Sequence, residues 1–224
     1  MRTVVYGGTR NVYGAMVTAC KSLLYHRGAD RVVMLIEDDV FPEYLPECVQ
    51  CVNVSQQQYV SPDSPNARKR WTYMSMMRCA LPLMPQLSGR VLWLDIDTLV
   101  CGDLQGLWAL PDAPVYMARE VGRDYEYYNA GVLLMDCELF RDDARQAVTM
   151  LNSRTFDFPD QDAINNIMRG RILTMPPEYN VSDWTVKGSA EPRILHFAAV
   201  RDWQADERWQ RFERMAWEEI MAPL

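Results

Sequence analysis

Two aspartates, Asp95 and Asp97, interrupt an otherwise apolar run, Val91 to Val100, that reads Val-Leu-Trp-Leu-Asp-Ile-Asp-Thr-Leu-Val. Bounded by Gly89 and Gly102, the run predicts a strand buried on both faces. Side chains alternate along an extended strand, so the two carboxylates would point the same way. Like charges in an apolar setting are costly. A divalent cation with hard oxygen ligands is the simplest partner for them; the alternative is a strand end at which one aspartate caps the following turn. A second acidic group, Glu37-Asp38-Asp39, has adjacent rather than alternate carboxylates and is followed by Pro42. It reads as a solvated strand end.

The elements around these residues follow from hydrophobic period and turn residues. Thr3 to Gly7 is β-rich. Gly7-Gly8-Thr9-Arg10-Asn11 is a turn, and Val12 to Tyr25 has helical spacing at Val17, Cys20 and Leu24, with Asn11 as the expected N-cap. Strand, glycine turn and helix open a nucleotide-binding α/β sheet, with phosphates or a base near the turn, although the G-x-G-x-x-G spacing of dinucleotide sites is absent. Arg31 to Ile36, Val49 to Val54 and Val115 to Arg119 predict strands, and Asn129-Ala130-Gly131 predicts a small-residue turn running into another. Thr72 to Leu81 predicts a helix stopped by Pro82 and Pro85. The basic trio Arg68-Lys69-Arg70 before it reads either as a solvated face or as cover for an anionic ligand. Leu139 to Leu151 and Phe158 to Met168 predict helices, the second with Asp160 near its N-terminus, where a carboxylate is favoured. Ile172 to Met175 and Tyr179 to Val181 predict short extended pieces, and Arg193 to Phe197 a strand carrying His196. Trp203 to Met221 predicts one amphipathic helix packed on the domain. The alternation of strands and helices implies a mostly parallel sheet covered on both faces.

The chain has 224 residues, 49% hydrophobic and 24% charged, enough for one sizeable core. No apolar run approaches the roughly 18 residues of a membrane span, and the N-terminus enters a strand pattern at once, which predicts no signal peptide. A formal net charge of −7 argues against broad nucleic-acid binding. Six cysteines include one Cys48-x-x-Cys51 pair with no second pair and no flanking histidine, so reduced thiols in a cytoplasmic protein are expected rather than a zinc site.

Taken in order, these stations resemble the retaining glycosyltransferases of family 8, the glycogenin and lipopolysaccharide galactosyltransferase type, over nearly the whole chain. Leu92 to Val100 looks like the family's Asp-x-Asp strand. Tyr128-Asn129-Ala130-Gly131 looks like its sugar-contact segment, and Asp160-Gln161-Asp162 like its Asp-Gln helix start. Tyr179-Asn180 and His196-Phe197 match two later landmarks. The resemblance implies an α/β, single-domain GT-A-type nucleotide-sugar fold with a Rossmann-like, mostly parallel central sheet. It implies a manganese or magnesium ion at Asp95, Asp97 and His196, a UDP-sugar donor, and uridine held by Gly7, Thr9, Arg10 and Tyr13. Ile96 lies between the two aspartates. Asn129, Ala130 and Gln161 match donor-sugar contacts, with Asp160 the neighbouring carboxylate. Arg78 occupies the place of a basic residue on the helix before the Asp-x-Asp strand. Where the family continues from His-Phe with a small residue, Gly, a basic residue, Pro and Trp, this chain has Ala198-Ala199-Val200-Arg201-Asp202-Trp203. The Trp is kept, Arg201 stands in for the basic residue, and the Gly and Pro are missing.

On this reading Arg78 and Arg201 add positive charge at the leaving diphosphate; as surface arginines they would not. Retention needs either a carboxylate nucleophile, for which Asp160 is the candidate, or same-face attack by the acceptor with Asp160 or Gln161 supporting charge on the sugar, which we favour. The acceptor is a glycan, a protein or a small molecule, and the tryptophans of the C-terminal segment leave a homodimer open. The rival from another class is a non-catalytic nucleotide-sugar-binding module. A metal phosphohydrolase would need a second carboxylate cluster, for which only Glu37-Asp38-Asp39 offers itself.

Overall fold

Apolar residues on both faces of the central strands drive a sheet that must be covered twice. In the computed structural model, which describes residues 1–67, 72–185 and 191–222, the strands of the main sheet are β1 (Thr3–Gly7), β2 (Arg31–Ile36), β3 (Val49–Asn53), β4 (Arg90–Leu94), β6 (Val115–Arg119), β7 (Tyr128–Asp136) and β8 (Leu173–Thr174), with β5 (Thr98–Val100) and β9 (Ile194–His196) forming a small second ladder. The main sheet runs in the order β3-β2-β1-β4-β7-β6-β8. β3, β2, β1 and β4 pair in parallel, β7 is antiparallel to both β4 and β6, and β8 is parallel to β6. The expected mostly parallel sheet is therefore present, with one reversed strand beside the Asp-x-Asp element.

Strand alternation sorts the core into two layers. Val4, Tyr6, Met34, Leu92, Leu94 and Leu134 face one cluster, and Val5, Val33, Leu35, Val91, Trp93 and Leu133 the other. The helices are α1 (Tyr13–Tyr25), α2 (Tyr73–Met76), α3 (Gln105–Trp108), α4 (Cys137–Ser153), α5 (Pro159–Ile167), α6 (Glu207–Arg214) and α7 (Trp217–Met221). α1, α6 and α7 cover the first layer. α4, α5 and a 3-10 segment, Met77–Leu83, cover the second. Asp136 caps α4 by accepting from the backbone N–H of Glu138 and Leu139 at 3.0 Å each. All six cysteines are free thiols. Among the described residues no helix is long and apolar enough to cross a membrane.

Several elements differ from the sequence reading. The run Val91 to Val100 is not one strand. β4 stops at Leu94, the chain turns through Asp95 to Asp97 with Thr98 N–H bonded to the Asp95 carbonyl at 3.1 Å, and β5 leaves the main sheet to pair with β9. Asn129-Ala130-Gly131 lies within β7 rather than in a turn, opposite a register shift after Met117 of β6. Thr72 to Leu81 is a single α turn continuing as a 3-10 helix, Met77–Leu83, that contains Pro82 near its end. Asn11 does not cap α1; it lies in the 3-10 turn Arg10–Val12 and its Oδ1 accepts from Thr9 Oγ1 at 2.6 Å. Tyr179 closes another 3-10 turn. Trp203 to Met221 divides into a 3-10 turn, α6 and α7, since Met215 and Ala216 are extended. The basic trio Arg68-Lys69-Arg70 lies outside the described residues.

The loop after β9 is pinned at both ends by aromatic rings. Phe197 stacks on Trp203 at 6.3 Å between centroids, and Trp203 meets Trp209 of α6 edge-on at 4.3 Å. Between them Ala199 has φ of +63°, the left-handed region that a side chain disfavours. The backbone bend is thus kept without the glycine that usually relieves it. Ala199→Gly is expected to raise unfolding stability by about 0.5–1 kcal/mol, the relief of left-handed strain less the added chain entropy of glycine, as read by urea denaturation.

Candidate functional site

The turn that ends β4 brings the sequence-separated ligands together. Because β5 pairs with β9, Thr98 lies opposite His196, and Phe197 N–H bonds the Asp97 carbonyl at 2.9 Å. His196 Nε2 then sits 3.5 Å from Asp97 Oδ1 and 4.0 Å from Asp95 Oδ2. One donor atom each from Asp95, Asp97 and His196 falls within 4.8 Å of the others, and this is the only such group found among the described residues. Two carboxylates and one imidazole suit a divalent ion of the manganese or magnesium kind. The imidazole is oriented for it. Asn180 Nδ2 donates to Asn129 Oδ1 at 3.0 Å, which leaves Asn180 Oδ1 to accept from His196 Nδ1–H at 3.0 Å and turns the Nε2 lone pair toward the carboxylates. A Cβ on Gly131 would overlap the His196 ring, so β7 must carry glycine there. With no cation between them, burial pushes the His196 imidazolium down, but Asp97 and Asp95 outweigh it and the net direction is up. Burial raises Asp97, and His196 more than reverses that, so the carboxyl stays low.

Arg78 ties the same cluster to α5. Its Nη2 lies 2.7 Å from Asp95 Oδ1 and its Nε 2.9 Å from Asp160 Oδ2, while Nη1 bonds the Ala130 carbonyl. Trp93 completes the arrangement: its Nε1 donates to Asp95 Oδ1 at 2.8 Å, and the guanidinium lies 5.0 Å from its ring centroid. Burial lifts the Asp95 and Asp160 carboxyls above the ordinary range, and Arg78 opposes that rise in both. Arg78 feels a burial that lowers it, yet Asp160 and Asp95 hold it net upward and charged. Asp160 lies in the first turn of α5, whose N-cap is Phe158, and its carboxylate goes to Arg78. Gln161 Oε1 accepts from Ala130 N–H at 2.9 Å, and its Nε2 donates to Glu120 Oε1 at 2.9 Å.

These residues line a cavity of about 750 Å³ at the ends of β1 and β4. Gly7, Thr9, Ile96, Asn129 and Arg201 line it together with Arg78, Asp95, Asp97, Asp160, Gln161 and His196. Gly7 gives the Trp93 ring its place, since a Cβ there would stand 2.7 Å from the indole edge. Arg10 and Tyr13, expected beside the nucleoside, are not among the lining residues. Arg10 forms an ion pair with Asp38, and Tyr13 donates to Asp38 Oδ2 at 2.9 Å and packs on Phe41. Asn11 and Val12 of the same stretch line the cavity instead. Ala130 contributes backbone contacts only. The Glu37-Asp38-Asp39 group is partnered by Tyr73, Arg10, Tyr13 and Asn53 and forms no second metal cluster.

Glu120, Arg123 and Trp184 line the cavity without having been singled out in the sequence. Glu120 is buried and accepts from Gln161, from Asn129 at 3.4 Å and from Arg123 at 2.9 Å. Its signal in the sequence was only a charged residue at a strand end, which describes many surface positions equally well.

A GT-A-type α/β sheet with two carboxylates and one histidine placed to hold a metal ion in the wall of this cavity defines the class. The chain belongs to glycosyl transferase family 8, whose family model matches residues 4–206. It is 27% identical to the lipopolysaccharide 1,2-glucosyltransferase of Escherichia coli K12 over 51% of this chain, and spans only 39% of that relative's length. Among solved structures it superposes on the glycosyltransferase GlyE of Streptococcus pneumoniae with TM-score 0.74 at 20% identity, over 98% of this chain and 62% of that one. It superposes on the galactosyltransferase LgtC, determined with donor and acceptor sugar analogues, with TM-score 0.72 at 17% identity, over 94% and 95%.

Arg78→Met would leave Asp95 and Asp160 facing one another without their shared cation. It is expected to cost about 3–5 kcal/mol of stability in metal-free protein, read by chemical denaturation in EDTA. A change under about 1 kcal/mol would show that the carboxylates do not depend on this pair.

Proposed function

We propose that the chain is a metal-dependent retaining hexosyltransferase that moves glucose or galactose from a UDP-sugar to an acceptor hydroxyl. The observation that carries this is the convergence of Asp95, Asp97 and His196 beside the buried Arg78–Asp160 pair in one cavity. Asp95, Asp97 and His196 would hold manganese or magnesium, and the ion when bound supplies Lewis-acid neutralisation of the leaving diphosphate. Thr9, Asn11, Val12 and Ile96 form the wall nearest the first turn and suit the nucleoside. Arg201, on the strained loop after β9, brings a further cation to the phosphates.

In the reaction the acceptor oxygen bonds to the anomeric carbon as the carbon–oxygen bond to diphosphate breaks, and the acceptor's proton passes to a leaving-group oxygen. Asp160 Oδ2 is held by Arg78 at 2.9 Å, and that paired cation makes the carboxylate a weaker nucleophile. This supports same-face attack. In that arrangement Asp160 supplies negative charge near the developing sugar cation. Gln161, fixed by Ala130 and Glu120, positions the donor sugar, and Arg78 holds both carboxylates in place. Six free thiols fit a reducing, cytoplasmic setting.

UDP release from a panel of UDP-sugars tests the proposal. Release from one UDP-hexose in manganese, abolished by EDTA and lowered at least about a hundredfold in Asp97→Ala, is the expected result. UDP binding by calorimetry with no release from any sugar would instead make the chain a binding module.

A metal readout without turnover accompanies it. Manganese at a hundredfold excess over its dissociation constant should stabilise the wild type by about 2.7 kcal/mol. Asp97→Ala should lose that gain in thermal unfolding.

A further inference from the structure

Trp184 stands at the cavity rim with 46% of its surface exposed, among the few large hydrophobic side chains left in solvent. Leaving an indole exposed forgoes a large hydrophobic gain. The turn that presents it is nevertheless built to stay in place. Ser182 and Thr185 on either side are buried, their hydroxyls lie 3.0 Å apart, and Ser182 N–H donates to Thr185 Oγ1 at 3.1 Å. Trp184 N–H donates to Ser182 Oγ at 3.3 Å, and Thr185 Oγ1 donates to the carbonyl of Asn180, the residue that orients His196. The Trp184 carbonyl accepts from Val121 N–H at 2.7 Å. That bond ties the Trp184 turn to the residue after Glu120, and Glu120, Arg123 and Trp184 line the same cavity. Arg123 is partly exposed, pairs with Glu120 and lies 4.6 Å from the Tyr127 ring centroid. Glu120 in turn holds Gln161. The cavity wall therefore combines a half-exposed indole on a hydrogen-bonded turn with a carboxylate and a guanidinium.

We propose that Trp184 is the platform on which the pyranose ring of a saccharide acceptor stacks, with the Glu120–Arg123 pair meeting its hydroxyls. This deepens the transferase reading above and rests on it. The apolar C–H face of a pyranose carries partial positive charge and matches the negative face of an indole, whereas its equatorial hydroxyls need paired donors and acceptors at the ring edge. A carboxylate already bonded to Arg123 and Gln161 accepts from a hydroxyl without being left bare, and the guanidinium donates to another. A peptide acceptor would need neither the flat face nor this edge.

Two measurements test the proposal. In transfer assays with methyl β-D-galactoside, methyl α-D-glucoside, lactose and maltose, Trp184→Ala should raise the acceptor KM by about tenfold or more and the donor KM by less than about twofold, and Trp184→Phe should recover most of the loss. Acceptor and donor KM rising together would make the turn merely structural and overturn the platform, as would no change in either. A peptide that stimulates UDP release where none of the four sugars does would overturn it too. The second measurement needs no turnover. In UDP-loaded protein, the indole N–H resonance of Trp184, assigned through Trp184→Phe, should shift saturably with at least one of the same sugars. Metal-dependent UDP release with no shift from any of them leaves the transferase reading standing and sinks the platform. A saturable shift in a protein that releases UDP from no donor supports the saccharide platform and sinks the transferase reading.

Discussion

The structure depends on how three carboxylates are kept together at one end of a hydrophobic sheet. Asp95, Asp97 and Asp160 are too close and too dry to coexist as bare anions. The buried Arg78 guanidinium holds two of them, and His196 faces the third and the edge of the first. Arg78 is itself fixed by the Ala130 carbonyl and by the Trp93 ring beneath it. Such a cluster adds little net stability, because desolvation offsets much of the attraction. Its effect is geometric: it sets carboxylates at defined places where positive charge from outside the chain completes the balance.

The same geometry needs a strand that changes partners. β4 belongs to the main sheet, but four residues later the chain pairs with β9 instead. The turn between them exposes two carboxylates that a continuous strand would have sealed between helices. The second ladder is only three residues long, yet it decides where His196 lies, and the Gly131 position in β7 makes room for the ring. A hydrogen-bonded line runs from Glu120 through Asn129 and Asn180 to His196 of the Asp95–Asp97–His196 group.

The loop after β9 makes a left-handed bend without the glycine of the family pattern. The expected glycine is absent, but Ala199 adopts the backbone angle a glycine would have, because Phe197 and Trp203 clamp both ends on Trp209. Aromatic packing of the flanks thus imposes a strained conformation on the middle. The sequence lacks the glycine and proline of the family pattern here, and the fold nevertheless places Arg201 on the cavity wall.

Local chemistry in the sequence determined most of the strands, the two-sided core, the Asp-x-Asp element and the family. Apolar period, glycine turns and residue types at given spacing are short-range properties, and a single chain displays them directly. His196 and Asn180 were recognisable as landmarks, but their hydrogen bond and the closeness of His196 to Asp97 depend on β9 crossing to β5, a pairing between segments about a hundred residues apart that no local pattern encodes. Arg78 was visible as a basic residue before a strand. Its engagement by Asp95 and Asp160 required a 3-10 segment and α5 to pack on one face of the sheet. That Asn11 and Val12 line the cavity while Arg10 and Tyr13 bond Asp38 depends on Asp38 reaching the first turn from beyond the end of β2. Glu120, Arg123 and Trp184 could be found only after folding, because an exposed indole and a charged strand end gain meaning from the cavity they share, and that cavity exists only in three dimensions.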